Sequence, residues 1–86
     1  MMQPTHYRIY SLDNCDSVGP EVTTVDFFAA YDWWTGCVKE IFGYSDEKCL
    51  ALWKSGKKNN GSRVFVEDDF WVICEFGYGP YHGVKS

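Results

Sequence analysis

Two histidines stand near opposite ends of the 86-residue chain, His6 and His82, with four cysteines between them at Cys15, Cys37, Cys49 and Cys74. A Cys-His nucleophilic pair needs an imidazole brought beside a thiol to raise its thiolate fraction. Cys15 is flanked by Asp13 and Asp16, whose charge opposes the thiolate and makes it a poor nucleophile. The cysteine spacings of 22, 12 and 25 residues contain no Cys-x2-Cys pair of the kind that holds structural zinc. Asp13, Asn14 and Asp16 offer oxygen ligands to calcium, but without the loop spacing and terminal Glu of an EF-hand. Asp68 and Asp69 are adjacent carboxylates on an expected exposed turn, where nothing drives their pKa values apart for acid–base work. SGKKNNGS (55–62) lacks the spaced glycine, the Lys-Ser/Thr pair and the preceding strand of a phosphate-binding loop. These residues name no reaction, metal or cofactor. The expectation is a protein that is not an enzyme, with no catalytic residue and no metal ligand to assign.

Charge gives a second set of binding residues. The net −4 divides into −6 over residues 1–47, +5 over 48–63 and −3 over 64–86. Within the basic block, Lys54, Lys57, Lys58 and Arg63 are candidate ligands for a phosphate backbone or another phosphoanion. A solvated loop whose lysines favour the C-terminal end of a helix explains the same residues. The acids Asp13, Asp16, Glu21, Asp26 and Asp32, and the run Glu67, Asp68, Asp69, suit a basic groove on a larger protein as well as they suit plain solubility.

The element that positions most of these residues is TTVDFFAAYDWWTGCVKEIF (23–42). Phe27, Tyr31, Trp34, Val38 and Ile41 recur every three or four places, which lays them along one stripe of a helix. Thr23-x-x-Asp26 reads as a capping-box-like start, and Gly43 stands where the C-terminal cap belongs. Ser45-Asp46-Glu47-Lys48 opens a second, shorter helix, closed by Gly56. HYRIYSL (6–12) reads as a strand, DNCDSVGPE (13–21) as a loop, and KKNNGS (57–62) as a polar loop. RVFVE (63–67) and FWVICEF (70–76) flank Asp68-Asp69 as a hairpin, with a two-residue or a four-residue turn. Eighty-six residues make one domain, 1–86, with 1–5 and 77–86 as irregular termini. The expected fold is α+β, in the order β-α-α-β-β, with two helices packed on one face of a three-stranded antiparallel sheet. Sixteen aromatic residues supply the core, and the cysteines inside apolar segments read as buried thiols rather than as a disulfide framework. MMQPTHYR has no basic-then-apolar leader and no apolar run reaches membrane-spanning length, so the expected location is the cytoplasm.

With a two-residue turn, Phe65, Phe70, Val72, Cys74 and Phe76 share one face of the hairpin, and Val64, Val66, Trp71 and Ile73 share the other. Both faces are apolar, and two helices cover only one of them. The second is closed by the N-terminal loop, by the aromatic tail (Tyr78, Tyr81) or by another molecule. Trp33 is a further candidate for contact at the edge of the helical stripe, because it and Trp34 cannot both point into one core; a half-buried scaffold position explains it as well. The functional expectation is therefore a small protein-binding module of the inhibitor or immunity type. It would use Trp33, Val64, Val66, Trp71, Ile73, Asp68 and Asp69 against a larger protein partner. One concrete version is a phage anti-defence, anti-CRISPR-like inhibitor of a nucleic-acid-processing complex, a version that size and acidity suggest and no motif carries. The alternatives are the anion binder through residues 48–63 and a homodimeric structural subunit joined through the open hairpin face.

Overall fold

The computed structural model describes residues 4–59 and 62–79, with residues 57–59 described by their backbone. Seven elements follow in order: β1 (His6–Asp13), β2 (Asp16–Thr24), α1 (Phe27–Phe42), α2 (Asp46–Ser55), β3 (Lys57–Asn59), β4 (Ser62–Glu67) and β5 (Phe70–Gly77). The strands make one antiparallel sheet in the order β2-β1-β5-β4-β3, four full strands with the three-residue β3 at one edge. Both helices pack on one face of it.

The α+β class holds, but the three-stranded β-α-α-β-β order is overturned. Residues 16–24, expected within a loop and the start of the helix, are a full edge strand paired with β1, from Asp13↔Asp16 to Tyr7↔Thr24. Asn14 (φ 51°) and Cys15 (φ 71°) both take the left-handed backbone that a two-residue hairpin turn with the strands' own twist requires. Gly19-Pro20, which reads as a breaker, falls where the register shifts between Ile9 and Ser11. An edge strand with a bulge tolerates a proline, because the missing N–H interrupts no ladder on the solvent side. The second correction is β3. Lys57, Lys58 and Asn59 pair with Val64, Arg63 and Ser62, so the expected polar loop begins as a short strand.

The new strand also moves the start of α1. Thr23 and Thr24 belong to β2, and Asp26 is the N-cap, its carboxylate accepting from the Phe28 amide at 3.0 Å. The remaining caps match the sequence expectation: Gly43 closes α1 at φ 71°, and the Ser45 hydroxyl accepts from Lys48 N at the start of α2. The β4–β5 turn has two residues, with Asp68 at φ 55°, and sets Phe65 opposite Val72 and Val66 opposite Trp71.

The core lies between the helices and β1, β5 and β4. Ala30, Trp34 and Val38 form the fully buried line of α1, whereas Phe27 and Ile41 at the ends of the expected stripe are 41% and 42% exposed. Trp34 is wholly buried, and its indole N–H donates to the Val72 carbonyl at 3.2 Å, which ties α1 to the central strand. Trp53 of α2 meets Trp34, Tyr31 and Phe27 edge-on at centroid distances of 5.2, 5.3 and 5.9 Å. A second group is centred on Phe42, packed against Phe65 at 5.1 Å and Phe70 at 5.9 Å. Such edge-to-face pairs add to simple area burial, as a chain this small needs. All four cysteines are free thiols: Cys49 and Cys74 are buried, Cys37 is half-buried and Cys15 is exposed on its hairpin tip.

Candidate protein-binding face

The sheet face turned away from the helices is built by register. Across β1, β5 and β4, Tyr10, Ile73 and Val64 form one row, and Leu12, Trp71 and Val66 form the next. Residues paired in this way point to the same side, so six apolar or aromatic side chains from three strands make one continuous patch. Trp71 is 38% and Val66 42% exposed, while Ile73 is 8% exposed. No other described element packs on this face. Tyr81 and the rest of 80–86, expected as one possible cover, lie outside the described residues; Tyr78 is described and is exposed.

Toward the other end of the strands the same face is polar. The Arg8 guanidinium clasps Glu21 with two hydrogen bonds, of 2.7 and 3.1 Å, and donates a third to Glu75 at 3.1 Å. The Tyr10 hydroxyl donates to the second oxygen of Glu75 at 2.8 Å, and Arg8 lies 4.5 Å from the centre of the Tyr10 ring. The hydrogen bond to Glu21 is the chief reason the Arg8 pKa is raised, and the same bond holds the Glu21 carboxyl below its usual range. Burial, then the bond to Glu75, raises the Tyr10 phenol. These groups are about half-exposed, so the pairs fix side-chain geometry more than they stabilise the fold.

Acids border the apolar end. The β1–β2 tip and the β4–β5 turn lie side by side, joined by a 2.9 Å hydrogen bond from Asn14 N to the Asp69 carbonyl. Asp13, Asp16, Asp68 and Asp69 are thereby gathered, all exposed, next to Leu12 and Trp71. Of the expected partner-binding residues, Val64, Val66, Trp71, Ile73, Asp68 and Asp69 come together here. Leu12 and Tyr10 complete the patch, and sequence reasoning missed them because β1 was not known to be the neighbour of β5. Trp33 does not join them. It lies on the outer side of α1, 45% exposed, over a groove of about 270 Å3 that it shares with Val18, Pro20, Cys37 and Ile41.

The anion-binding set divides too. Lys54 lies in the last turn of α2, and Arg63 leaves β4 on the helix side, its guanidinium 5.5 Å from the Trp53 ring centre. Both border one groove beside α1. The side chains of Lys57 and Lys58 are outside the description. Among the candidate catalytic groups, His82 is outside the described residues, and the His6 Nδ1 lies 2.9 Å from the Thr5 hydroxyl. The described residues contain no group of three or more His, Cys, Asp or Glu placed to hold a metal ion. No described helix is long and apolar enough to cross a membrane.

Comparison with protein-family models, curated proteins and solved structures returned no match to this chain.

Proposed function

We propose that the chain is a small non-enzymatic protein-binding module that acts in the cytoplasm by occupying the surface of a larger protein. The supporting observation is the outer face of the sheet, where Tyr10, Leu12, Val64, Val66, Trp71 and Ile73 form an apolar patch that no described element covers. A sheet covered on one side ordinarily presents polar residues on the other, and a continuous apolar patch marks a place of contact. Trp71 is its anchor, a large ring at the centre of the patch with modest side-chain entropy to lose. The four aspartates beside it select a partner surface flanked by basic residues, because opposite potentials speed encounter and penalise wrong partners. A protein that handles nucleic acid has such a surface, and a module seated there excludes the substrate. That is the inhibitor reading, and the anti-defence version is its most specific form.

The test is capture on the tagged chain from nuclease-treated lysate of the source cell, run beside Trp71→Ala and Val66→Ser variants shown to be folded. A stoichiometric protein retained by the wild type, and lost by both variants, supports the reading. A partner held equally by all three chains removes this face from the function. Recovery that depends on intact nucleic acid, and survives both substitutions, moves the weight to the anion-binding alternative.

A further inference from the structure

The charge blocks of the sequence separate in space. Residues 1–47, with a net −6, build β1, β2 and α1 at one edge of the sheet. The basic residues 48–63 build most of α2, all of β3 and the start of β4 at the other. Both cations of the acidic block are engaged. Arg8 holds Glu21 and Glu75 on the outer sheet face, and Lys39 pairs with Asp46 at the start of α2. On the helix side of the acidic edge, between α1 and β2, lies the groove of Trp33, Cys37 and Ile41 against Val18 and Pro20. A second hollow of about 240 Å3 adjoins it, sharing Trp33, Cys37 and Glu40 and adding Asp32 and Gly36.

Trp33, Cys37 and Ile41 recur every four residues, as do Asp32, Gly36 and Glu40, so an apolar and an acidic stripe run side by side along α1. Asp32 and Glu40 are exposed, and neither carboxylate is in an ion pair among the described residues. No cation is among the described residues that line either hollow. The Cys37 thiol registers this field: burial first, and then the Glu40 charge, raise it. Gly36 is an independent sign. A glycine inside a helix weakens it relative to alanine. Here the backbone is not in the left-handed region, and a side chain would meet no packing partner within 4 Å. Neither conformation nor packing calls for glycine at this place, and its effect is to leave open the space between Asp32 and Glu40.

We infer that this groove docks a segment of a partner protein that carries an apolar residue beside an arginine, the apolar side chain between Trp33, Ile41 and Val18 and the guanidinium over Gly36. Asp32 and Glu40 each stand one helical turn from Gly36, the spacing at which helix side chains meet. They are two turns from one another, too far apart to close on a bare metal ion. Arginine suits the place because its planar cation stacks on an indole while donating to carboxylates. Free acids along the groove repel a phosphate backbone, which argues against nucleic acid. Both hollows are open on one side, which suits a segment better than a small metabolite that needs enclosure. The groove shares no residue with the sheet face, and the two sites stand or fall separately.

The experiment measures fluorescence anisotropy of the full chain with three labelled peptides of one length: one rich in Leu and Arg, its Glu-for-Arg counterpart and its Ser-for-Leu counterpart. The expected result is saturable binding of the first alone, weakened by added salt. Trp33→Ala, and the pair Asp32→Asn with Glu40→Gln, should each weaken it by roughly tenfold, the size of effect that loss of one good contact gives. Gly36→Lys places a cation of the chain's own between the two acids, so it should weaken binding at least as much while leaving the urea midpoint no lower than wild type. That combination separates loss of the site from loss of the fold. Trp71→Ala should leave binding unchanged, and amide shifts on titration should fall at Trp33, Gly36 and Glu40. Absence of saturable binding, equal binding of either substituted peptide, or full binding by Gly36→Lys would each overturn the inference. A dimer in sedimentation that Gly36→Lys dissolves would put a second copy in the groove and overturn it too. Shifts confined to Val66 and Trp71 would do the same while leaving the proposed function of the sheet face intact.

Discussion

Adjacent residues of one type have opposite fates in this chain. Trp34 is wholly buried with its N–H on the Val72 carbonyl, while Trp33 beside it is 45% exposed. Trp34→Phe removes the indole bond to the Val72 carbonyl and opens a void, and should lower unfolding free energy by roughly 1–3 kcal/mol in urea titration; Trp34→Ala should cost about 3–5 kcal/mol. Trp33→Ala should stay within about 1 kcal/mol of wild type. Cys74 gives a pH prediction. Burial pushes its thiol up to about 12 in the folded chain, against an ordinary value of 9.0. Between those values the unfolded state has released a proton that the folded state keeps, so stability falls as pH rises from about 9 and levels off near 12. One such group contributes a slope of at most about 1.4 kcal/mol per pH unit. Burial raises Cys37 and Cys49 in the same direction, so Cys74→Ala should make the loss of the urea midpoint between about pH 9 and 11 shallower without abolishing it. An unchanged slope would mean that the Cys74 thiol ionises in the folded chain as readily as in the unfolded one.

At the scale of elements, the start of α1 separates two accounts of the same residues. Local pattern makes Thr23 the cap; the structure places Thr23 in β2 opposite Arg8, and Asp26 at the N-cap with its carboxylate on the Phe28 amide. Asp26→Ala should therefore cost about 0.5–2 kcal/mol by chemical denaturation, the usual worth of a cap, and Thr23→Ala less. A reversal of that order would restore the capping-box reading. How much of the fold is legible locally varies by element for one reason. α2 carries its own start and stop in Ser45 and Gly56, and the β4–β5 hairpin shows as two β-rich runs around Asp68-Asp69, so both elements were readable from neighbours in the chain, whereas the choice between a two-residue and a four-residue turn was not. β2 has little strand character of its own, with Gly19 and Pro20 in its middle, and exists because β1 offers it a ladder. β3 is three residues long and exists because β4 does.

Across the whole molecule, the two sides of the sheet divide the work. One builds the core with α1 and α2, and the other presents the Trp71 patch with four aspartates at its end. Trp71 and Val66 are the two exposed side chains of the patch, so the double variant Trp71→Ala, Val66→Ser should unfold within about 1–2 kcal/mol of wild type. If the proposed function holds, the chain, with −4 charge on every copy, should also remain monomeric by sedimentation up to about a millimolar, a ceiling corresponding to a weak self-affinity of about −4 kcal/mol. A dimer at lower concentration, dissolved by Trp71→Ala, would replace the larger partner with a second copy.

By itself, the sequence determined what neighbouring residues decide together: the heart of α1, the caps of α2, the pairing of β4 with β5, the apolar character of both hairpin faces, and that Trp33 and Trp34 do not share one core. Each rests on periodicity, capping or turn chemistry, which act over a few residues. Only the tertiary structure decided that the sheet has β2 and β3 at its edges, that Tyr10 and Leu12 extend the Trp71 patch, that the two acidic turns meet, and that Lys54 and Arg63 border one groove beside α1. Those are meetings between distant parts of the chain. An edge strand borrows its hydrogen bonds, and a surface site its neighbours, from residues that no local pattern names.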